Sequence, residues 1–328
     1  MTDAFDAVLP AQLPAPQEAT AYAPSNIALS KYWGKRDAGL NLPLNSSLSI
    51  SLAEWGTTTT ILPADRDEVS LNGEVLDPAS SFATKVVAYL DRFRRGQTLP
   101  VRVETVNTIP TAAGLASSAS GFAALTKAID GAFALSLPEA QQSMLSRYGS
   151  GSATRSFWHG FVRWDRGADP AGMDSFAVPV EAPWLDFRIA LIKVDTGPKA
   201  QSSRDGMGHT VATSPLFPPW PDRAEADCAA IEAAVRAQDF ATLGALAEAN
   251  ALAMHATMMA ARPALTYLKA GSWQVLEALW QARAEGLEAY ATMDAGANVK
   301  LIFLKEAGAD VRRLFPAAEI IDPFGYSP

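Results

Sequence analysis

The chain has 328 residues, 48% of them hydrophobic and 19% charged, a balance that excludes a disordered or fibrous protein and leaves length for two packed lobes with a cleft between them. With 27 Lys and Arg against 35 Asp and Glu, the net charge of −8 opposes binding to nucleic acid or to an anionic membrane surface. The lone Cys228 precludes an intrachain disulfide, and His159, His209 and His255 lack metal-ligand spacing, so the expected metal is Mg²⁺ on carboxylates or substrate phosphates rather than zinc.

Residues 1–17, rich in Pro and Ala without periodicity, predict a poorly ordered arm. The N-terminus has acids where a secretory signal has basic residues, and no apolar run reaches the roughly 18–20 residues that span a bilayer, so a cytoplasmic protein is expected. From Leu42 to Ile61, SLSISLAEW and TTTTIL alternate as strands do, and LNGE at 71–74 is a hairpin turn. After Pro78 the period becomes helical, with Phe82, Val86, Val87 and Leu90 on one stripe. VRVETVNTIP returns to strand alternation, and a helix is predicted to begin near Leu115.

GFVRW at 160–164 and FRIALIKV at 187–194 read as strands, and the EAPW between them marks the expected lobe boundary near residue 183. TSPLFPPWPD is a Pro-rich connection, Ala224 to Ala260 is Ala-rich and helical, SWQVLEALWQARAEG is a further helix, and AYATM and NVKLIFL are strand-like. The fold class is therefore α+β, with an arm at 1–17, a first lobe at 18–182 and a second at 183–328.

The chemistry-bearing segments are local concentrations of basic and small residues in an acidic chain. In NTIPTAAGLASSASG, Gly114 and small residues precede a helix whose first turn offers Ser117 and Ser118; the segment is either a phosphate cradle at a helix N-terminus or a tightly packed helix start with Ser caps. Lys31, Tyr32, Trp33 and Lys35 form a segment too polar for simple core, either a ligand site or a solvated basic loop. SGSATRS offers the hydroxyls of Ser150 and Ser152, backbone N–H groups around Gly151 and the guanidinium of Arg155, or else a helix cap with a surface Arg. Asp294 sits on a Gly-containing turn after a strand, as a cleft carboxylate or an Asx-turn group. Walker, dinucleotide and Ser-hydrolase motifs are absent from the sequence.

PTAAGLASSAS resembles the phosphate loop of the GHMP kinase superfamily, and APSNIALSKYWGKRD, SGSATRS, SSRDGM and MDAGANVK in that order resemble the diphosphomevalonate decarboxylases, from about Ala21 to Phe303. The resemblance implies a two-lobed GHMP kinase fold, with an N-terminal lobe like the second domain of ribosomal protein S5 and a ferredoxin-like C-terminal lobe. It implies ATP and Mg²⁺ as cofactors, mevalonate 5-diphosphate as the small-molecule substrate, isopentenyl diphosphate as the product and a homodimer. It assigns Asp294, Lys31 and Arg155 to catalysis, Arg155 gripping the carboxylate that leaves as CO₂. It assigns Tyr32, Lys35, Ser150, Gly151, Ser152, Arg204 and Met207 to the substrate, and Ala113, Gly114, Leu115, Ala116, Ser117 and Ser118 to ATP, with Ser118 as a further Mg²⁺ contact.

Asp205 departs from the pattern, which expects a neutral residue beside Arg204; it either pairs with Arg204 and weakens diphosphate binding or faces solvent. The alternatives are a GHMP small-molecule kinase that stops after phosphoryl transfer, a decarboxylase specific for the monophosphate, and a non-catalytic sensor on the same fold. Arg155, Asp294 and Lys31 together favour the decarboxylase, because a simple kinase has no need to orient a carboxylate for elimination.

Overall fold

The computed structural model describes residues 3–109, 117–195, 197 and 201–325. The chain opens with a short helix α1 (Ala4–Val8), then β1 (Ala19–Ser30), β2 (Lys35–Asp37), β3 (Leu42–Pro43), β4 (Ser47–Pro63), β5 (Glu68–Leu71) and β6 (Glu74–Val75). Helix α2 (Ser81–Arg94), β7 (Val101–Asn107), α3 (Ser118–Ala132), α4 (Glu139–Ser146), β8 (Phe161–Trp164) and β9 (Ala177–Val180) follow. Next come β10 (Phe187–Ile192), α5 (Ser203–Thr213), α6 (Trp220–Ala237), α7 (Phe240–Met259) and α8 (Ala270–Ala284). The chain closes with β11 (Ala289–Thr292), β12 (Val299–Leu304), α9 (Gly308–Leu314) and β13 (Glu319–Ile321).

One sheet is mixed: β6-β5-β7-β4-β8-β9 in order, with β1 also paired to β4 and only β5–β7 parallel. A second is antiparallel, in the order β11-β12-β10-β13, and β2 and β3 form a two-stranded antiparallel pair. The α+β class expected from the sequence is the one found. The LNGE turn is a two-residue hairpin loop in which Asn72 and Gly73 take φ of 53° and 85°, the left-handed pair that matches strand twist. Strand β4 runs through both SLSISLAEW and TTTTIL as one element; Ser47 to Ala53 are all buried although Ser and apolar residues alternate there, and burial itself alternates only from Thr57 on.

Residues 1–17 are a correction. From residue 3 this arm is packed: Asp3 caps α1 through the Phe5 N–H, and Phe5 is 2% exposed, edge-on to Phe93 at 5.1 Å and Tyr148 at 5.0 Å. Ala4, Leu9 and Leu13 are buried with it, so four apolar side chains of a Pro- and Ala-rich segment find a core. The helix expected from Leu115 is described from Ser118 onward.

A second core joins the sheets. Ile27 and Leu29 of β1 and Leu48 and Ile50 of β4 share a cluster with Phe187, Leu301 and Phe303 of the smaller sheet and with Ile231 and Leu243 of α6 and α7. The Thr292 hydroxyl donates to the Ala28 carbonyl at 3.2 Å, tying the end of β11 to the end of β1. That junction carries the site.

Candidate active site

Where β1 ends, the chain turns through Lys31, Tyr32 and Trp33, and polar side chains hold that turn from both sides. The Lys31 N–H donates to Asn250 Oδ1 and its carbonyl accepts from Asn45 Nδ2, each at 2.8 Å. Asn250 is itself fixed by donating to Asp227 at 3.0 Å. The Lys31 ammonium is 2% exposed and donates to the Ala28 carbonyl and to Asp294 Oδ1 at 2.7 and 2.8 Å. The other carboxylate oxygen of Asp294 meets Lys300 Nζ at 3.1 Å.

Burial alone would raise the Asp294 carboxyl, but Lys300 and Lys31 outweigh it and hold it well below the usual carboxylate range. Lys31 is pulled down to about 8, first by burial and further by Lys300 and Arg155, against the attraction of Asp294. Buried His255, on α7, is pushed down to about 4, by burial first and then by Lys31. The Asp294 side chain stays 38% exposed, open to the cavity.

Across that cavity a short 3-10 helix, Gly151–Arg155, presents the SGSATRS residues. Asn26 of β1 donates to the Ser152 carbonyl at 3.3 Å and the Ser156 hydroxyl at 2.8 Å, fixing the helix to the sheet. Arg155 is 3% exposed, donates to the Ser47 hydroxyl at 2.6 Å and lies 5.7 Å from the Trp164 ring; its Nε has no partner among the described residues. Burial brings its guanidinium down to about 10. A donor on a buried cation with nothing to bond is a place for an anion.

Tyr32 stands edge-on to Trp164 at 4.8 Å, and its hydroxyl also lacks a partner among the described residues. Lys35 donates to Asn41 at 2.6 Å and is pulled down to about 8, by burial first and then by Arg204.

These groups line one cavity of about 590 Å³ that includes Lys31, Tyr32, Lys35, Ser150, Gly151, Ser152, Arg155, Arg204, Met207, Ser118, Asp294 and Lys300. With Lys85 its described wall has six basic side chains against two acidic ones, Asp205 and Asp294, a local excess of four positive charges in a chain of −8. Asp205 accepts a hydrogen bond from the Ser202 hydroxyl at 2.6 Å and is exposed, and no ion pair links it to Arg204 among the described residues.

Residues expected at the ATP phosphates divide. Ala113, Gly114, Leu115 and Ala116 lie outside the described residues; Ser118 lines the cavity, and Ser117 precedes α3 without making a side-chain cap bond. Sequence reasoning missed Lys300, Lys85, Asn250, Asn45, Ser47 and His255. Of these Lys300 had a readable signal, a lysine in the otherwise apolar VKLIFL strand; the asparagines and Ser47 matter only through contacts made across the fold.

The N-terminal half, residues 23–177, matches the family model described as diphosphomevalonate decarboxylase-like N-terminal domain, and residues 189–320 match that of the mevalonate 5-diphosphate decarboxylase C-terminal domain. The chain is 39% identical over 319 residues to diphosphomevalonate decarboxylase mvd1 of Aspergillus fumigatus, covering 88% of this chain and 77% of that protein. It is 37% identical to the Homo sapiens diphosphomevalonate decarboxylase, covering 89% and 78%. Among solved structures, mevalonate diphosphate decarboxylase from Staphylococcus aureus superposes with a TM-score of 0.88 at 36% identity, covering 93% of this chain and 95% of that one. A structure described as MDDEF in complex with MVAPP, AMPPCP and magnesium gives 0.87 at 39%, covering 93% and 96%.

Proposed function

The chain belongs to the diphosphomevalonate decarboxylase family, and from that footing we propose how its own residues carry out the reaction. The enzyme is an ATP-dependent decarboxylase that takes mevalonate 5-diphosphate, with ATP and Mg²⁺, to isopentenyl diphosphate. One observation carries the assignment of roles: a carboxylate held by two lysines and a buried, underbonded guanidinium face the same basic cavity.

Tyr32, Lys35, Ser150, Ser152 and Arg204 bind the diphosphate, Gly151 lets its segment approach Tyr32 closely, and Met207 closes the apolar side against Trp33. The Arg155 guanidinium takes the substrate carboxylate, its flat donor edge matching two oxygens. Asp294 faces the 3-hydroxyl, ionised by Lys31 and Lys300, and orients that oxygen toward the γ-phosphate of ATP. The hydroxyl oxygen bonds to the γ-phosphorus, ADP leaves, and the hydroxyl proton passes to the Asp294 carboxylate and on to water. The C3–O bond then breaks with phosphate departing, and the C1–C2 bonding pair becomes the C2–C3 double bond as CO₂ is released.

The ATP phosphates bind at the start of α3, whose Ser118 reaches the cavity; Gly114 and its neighbours, assigned to the same phosphates by resemblance, lie outside the described residues. Mg²⁺ is carried on the nucleotide phosphates, with Ser118 as a side-chain oxygen. Mg²⁺ supplies neutralisation of phosphate charge. The lobes divide near residue 183, in the gap between Val180 and Phe187, and the family resemblance supports a homodimer in the cytoplasm. Among the described residues no helix is long and apolar enough to cross a membrane.

The test is incubation of the purified chain with ATP, Mg²⁺ and either mevalonate 5-diphosphate, the monophosphate or mevalonate, reading CO₂ and ADP together. Equal CO₂ and ADP from the diphosphate is the expected result; ADP without CO₂ indicates a kinase, and a preference for the monophosphate indicates the narrower decarboxylase. In the same assay Asp294→Asn should lower turnover by about 10²–10⁴-fold while ATP still binds, and Arg155→Gln should lose CO₂ release without losing its fold. Light scattering tests the dimer.

A further inference from the structure

We infer that Lys300 is a positioning residue for the reaction: with Lys31 it takes the two oxygens of Asp294, one ammonium to each, so that the carboxylate can present only one face to the cavity. The inference rests on the placement of Asp294 at the substrate hydroxyl. Lys300 lies on β12, opposite Leu191 of β10 and Thr292 of β11, in a strand whose other members are Val299, Leu301, Ile302, Phe303 and Leu304. Its side chain is 2% exposed. A lysine buried in such a strand is costly to the fold unless its charge meets an opposite one, and among the described residues that is Asp294, whose Oδ2 accepts from it at 3.1 Å.

The geometry divides the work between the two lysines. Lys31 reaches Oδ1 from the end of β1 and is anchored a second time on the Ala28 carbonyl. With that contact alone the carboxylate is free to turn about its terminal bond, which is a soft torsion. The Lys300 contact on the opposite oxygen removes that freedom. Because β11 is tied to β1 through Thr292 and Ala28, both ammoniums belong to one rigid junction. Such support from packed strands is what holds a reacting group to the sub-ångström placement that catalysis needs. Four groups face Asp294 from the elements around it: Lys31 after β1, Arg155 on the 3-10 helix, His255 on α7 and Lys300 on β12. Three are cations and the fourth is a neutral imidazole, so losing Lys300 leaves Asp294 ionised less firmly as well as less rigidly.

The experiment is steady-state kinetics of the full chain with ATP, Mg²⁺ and mevalonate 5-diphosphate, for wild type, Lys300→Gln, Lys300→Arg and Asp294→Asn. Lys300→Met replaces the Gln variant if Gln unsettles the strand, and thermal melting with ATP binding reports the fold. Lys300→Gln is expected to lose kcat by about a hundredfold with little change in KM. Lys300→Arg, which restores a cation opposite Oδ2, is expected to recover most of that kcat. A folded Lys300→Gln with wild-type kcat overturns the inference. So does a Lys300→Arg that melts like wild type yet stays as slow as Lys300→Gln, or a Lys300→Gln whose kcat falls only in step with its melting temperature, since that is a structural lysine. The two levels of failure separate: an active Asp294→Asn removes the placement of Asp294 itself, whereas an inactive Asp294→Asn beside a normal Lys300→Gln removes only the role of Lys300.

Discussion

At Gly151 the site has no room for one more carbon. A Cβ there would stand 2.9 Å from Tyr32 Cε1, 3.0 Å from its hydroxyl and 3.1 Å from Trp164 Cη2. Tyr32 is wedged edge-on against Trp164 and cannot yield without turning into the cavity. Gly151→Ala should therefore raise KM for the diphosphate substrate by about tenfold and cost about 1–3 kcal/mol in denaturant unfolding; unchanged KM and stability would mean that Tyr32 is free to move.

Charge at this scale also sets a pH dependence. Lys35 and Lys31 both titrate near 8, chiefly because burial disfavours the ammonium. Each carries its charge below that value and loses it above, so kcat/KM for the diphosphate should fall as pH rises through about 8. Bound phosphates favour the ammonium, so kcat itself should fall only at higher pH. Lys35→Gln should begin lower and lose part of the slope; a flat wild-type profile from about pH 7 to about 9.5 is incompatible with this role for Lys35. Lys31, Lys35, Arg155 and Asp294 were legible because each breaks the composition around it. Asn250 and Asn45 were not, since an asparagine in a helix or loop has no pattern until the backbone it serves comes within reach.

Among the elements, α1 shows how a short apolar signal is overlooked. AFDAV is a single turn and a half, below the length at which a helix sustains itself; it carries two of the arm's four buried side chains, Ala4 and Phe5, while Leu9 and Leu13 follow in Pro-rich chain. Its order comes from tertiary contact: Phe5 fills the space between Phe93 and Tyr148, and Arg92 covers its ring at 4.6 Å. Phe5→Ala should cost about 3 kcal/mol in urea unfolding, while Asp3→Asn, which removes the exposed ion pair to Arg92, should cost under about 1 kcal/mol. A Phe5→Ala variant as stable as wild type would show α1 to be a surface appendage. Strand β4 is the opposite case, an element whose existence is plain in the alternation of SLSISLAEW, although its first half is covered on both faces and its serines are buried with its leucines.

For the whole molecule, the core between the sheets predicts cooperative unfolding. Ile27, Leu29, Leu48 and Ile50 of the larger sheet pack in one cluster with Phe187, Leu301 and Phe303 of the smaller, so separating the proposed lobes uncovers apolar surface on both. Calorimetry should give one transition, and a fragment ending at residue 182 should aggregate or remain partly unfolded. Two resolved transitions would show that the lobes are stable independently.

The sequence by itself determined the α+β class, the segments that carry the chemistry and, through the order of five motifs, the family. Each of these depends on residues close together in the chain, where spacing and local composition carry the information. The tertiary structure alone decided that Lys300 and Lys31, 269 positions apart, close on one carboxylate, and that Ala4, Phe5, Leu9 and Leu13 of the N-terminal arm belong to the core. The physical reason is that a buried charge or an isolated phenylalanine is stabilised by whatever the folded chain brings against it, and that partner has no fixed separation along the sequence.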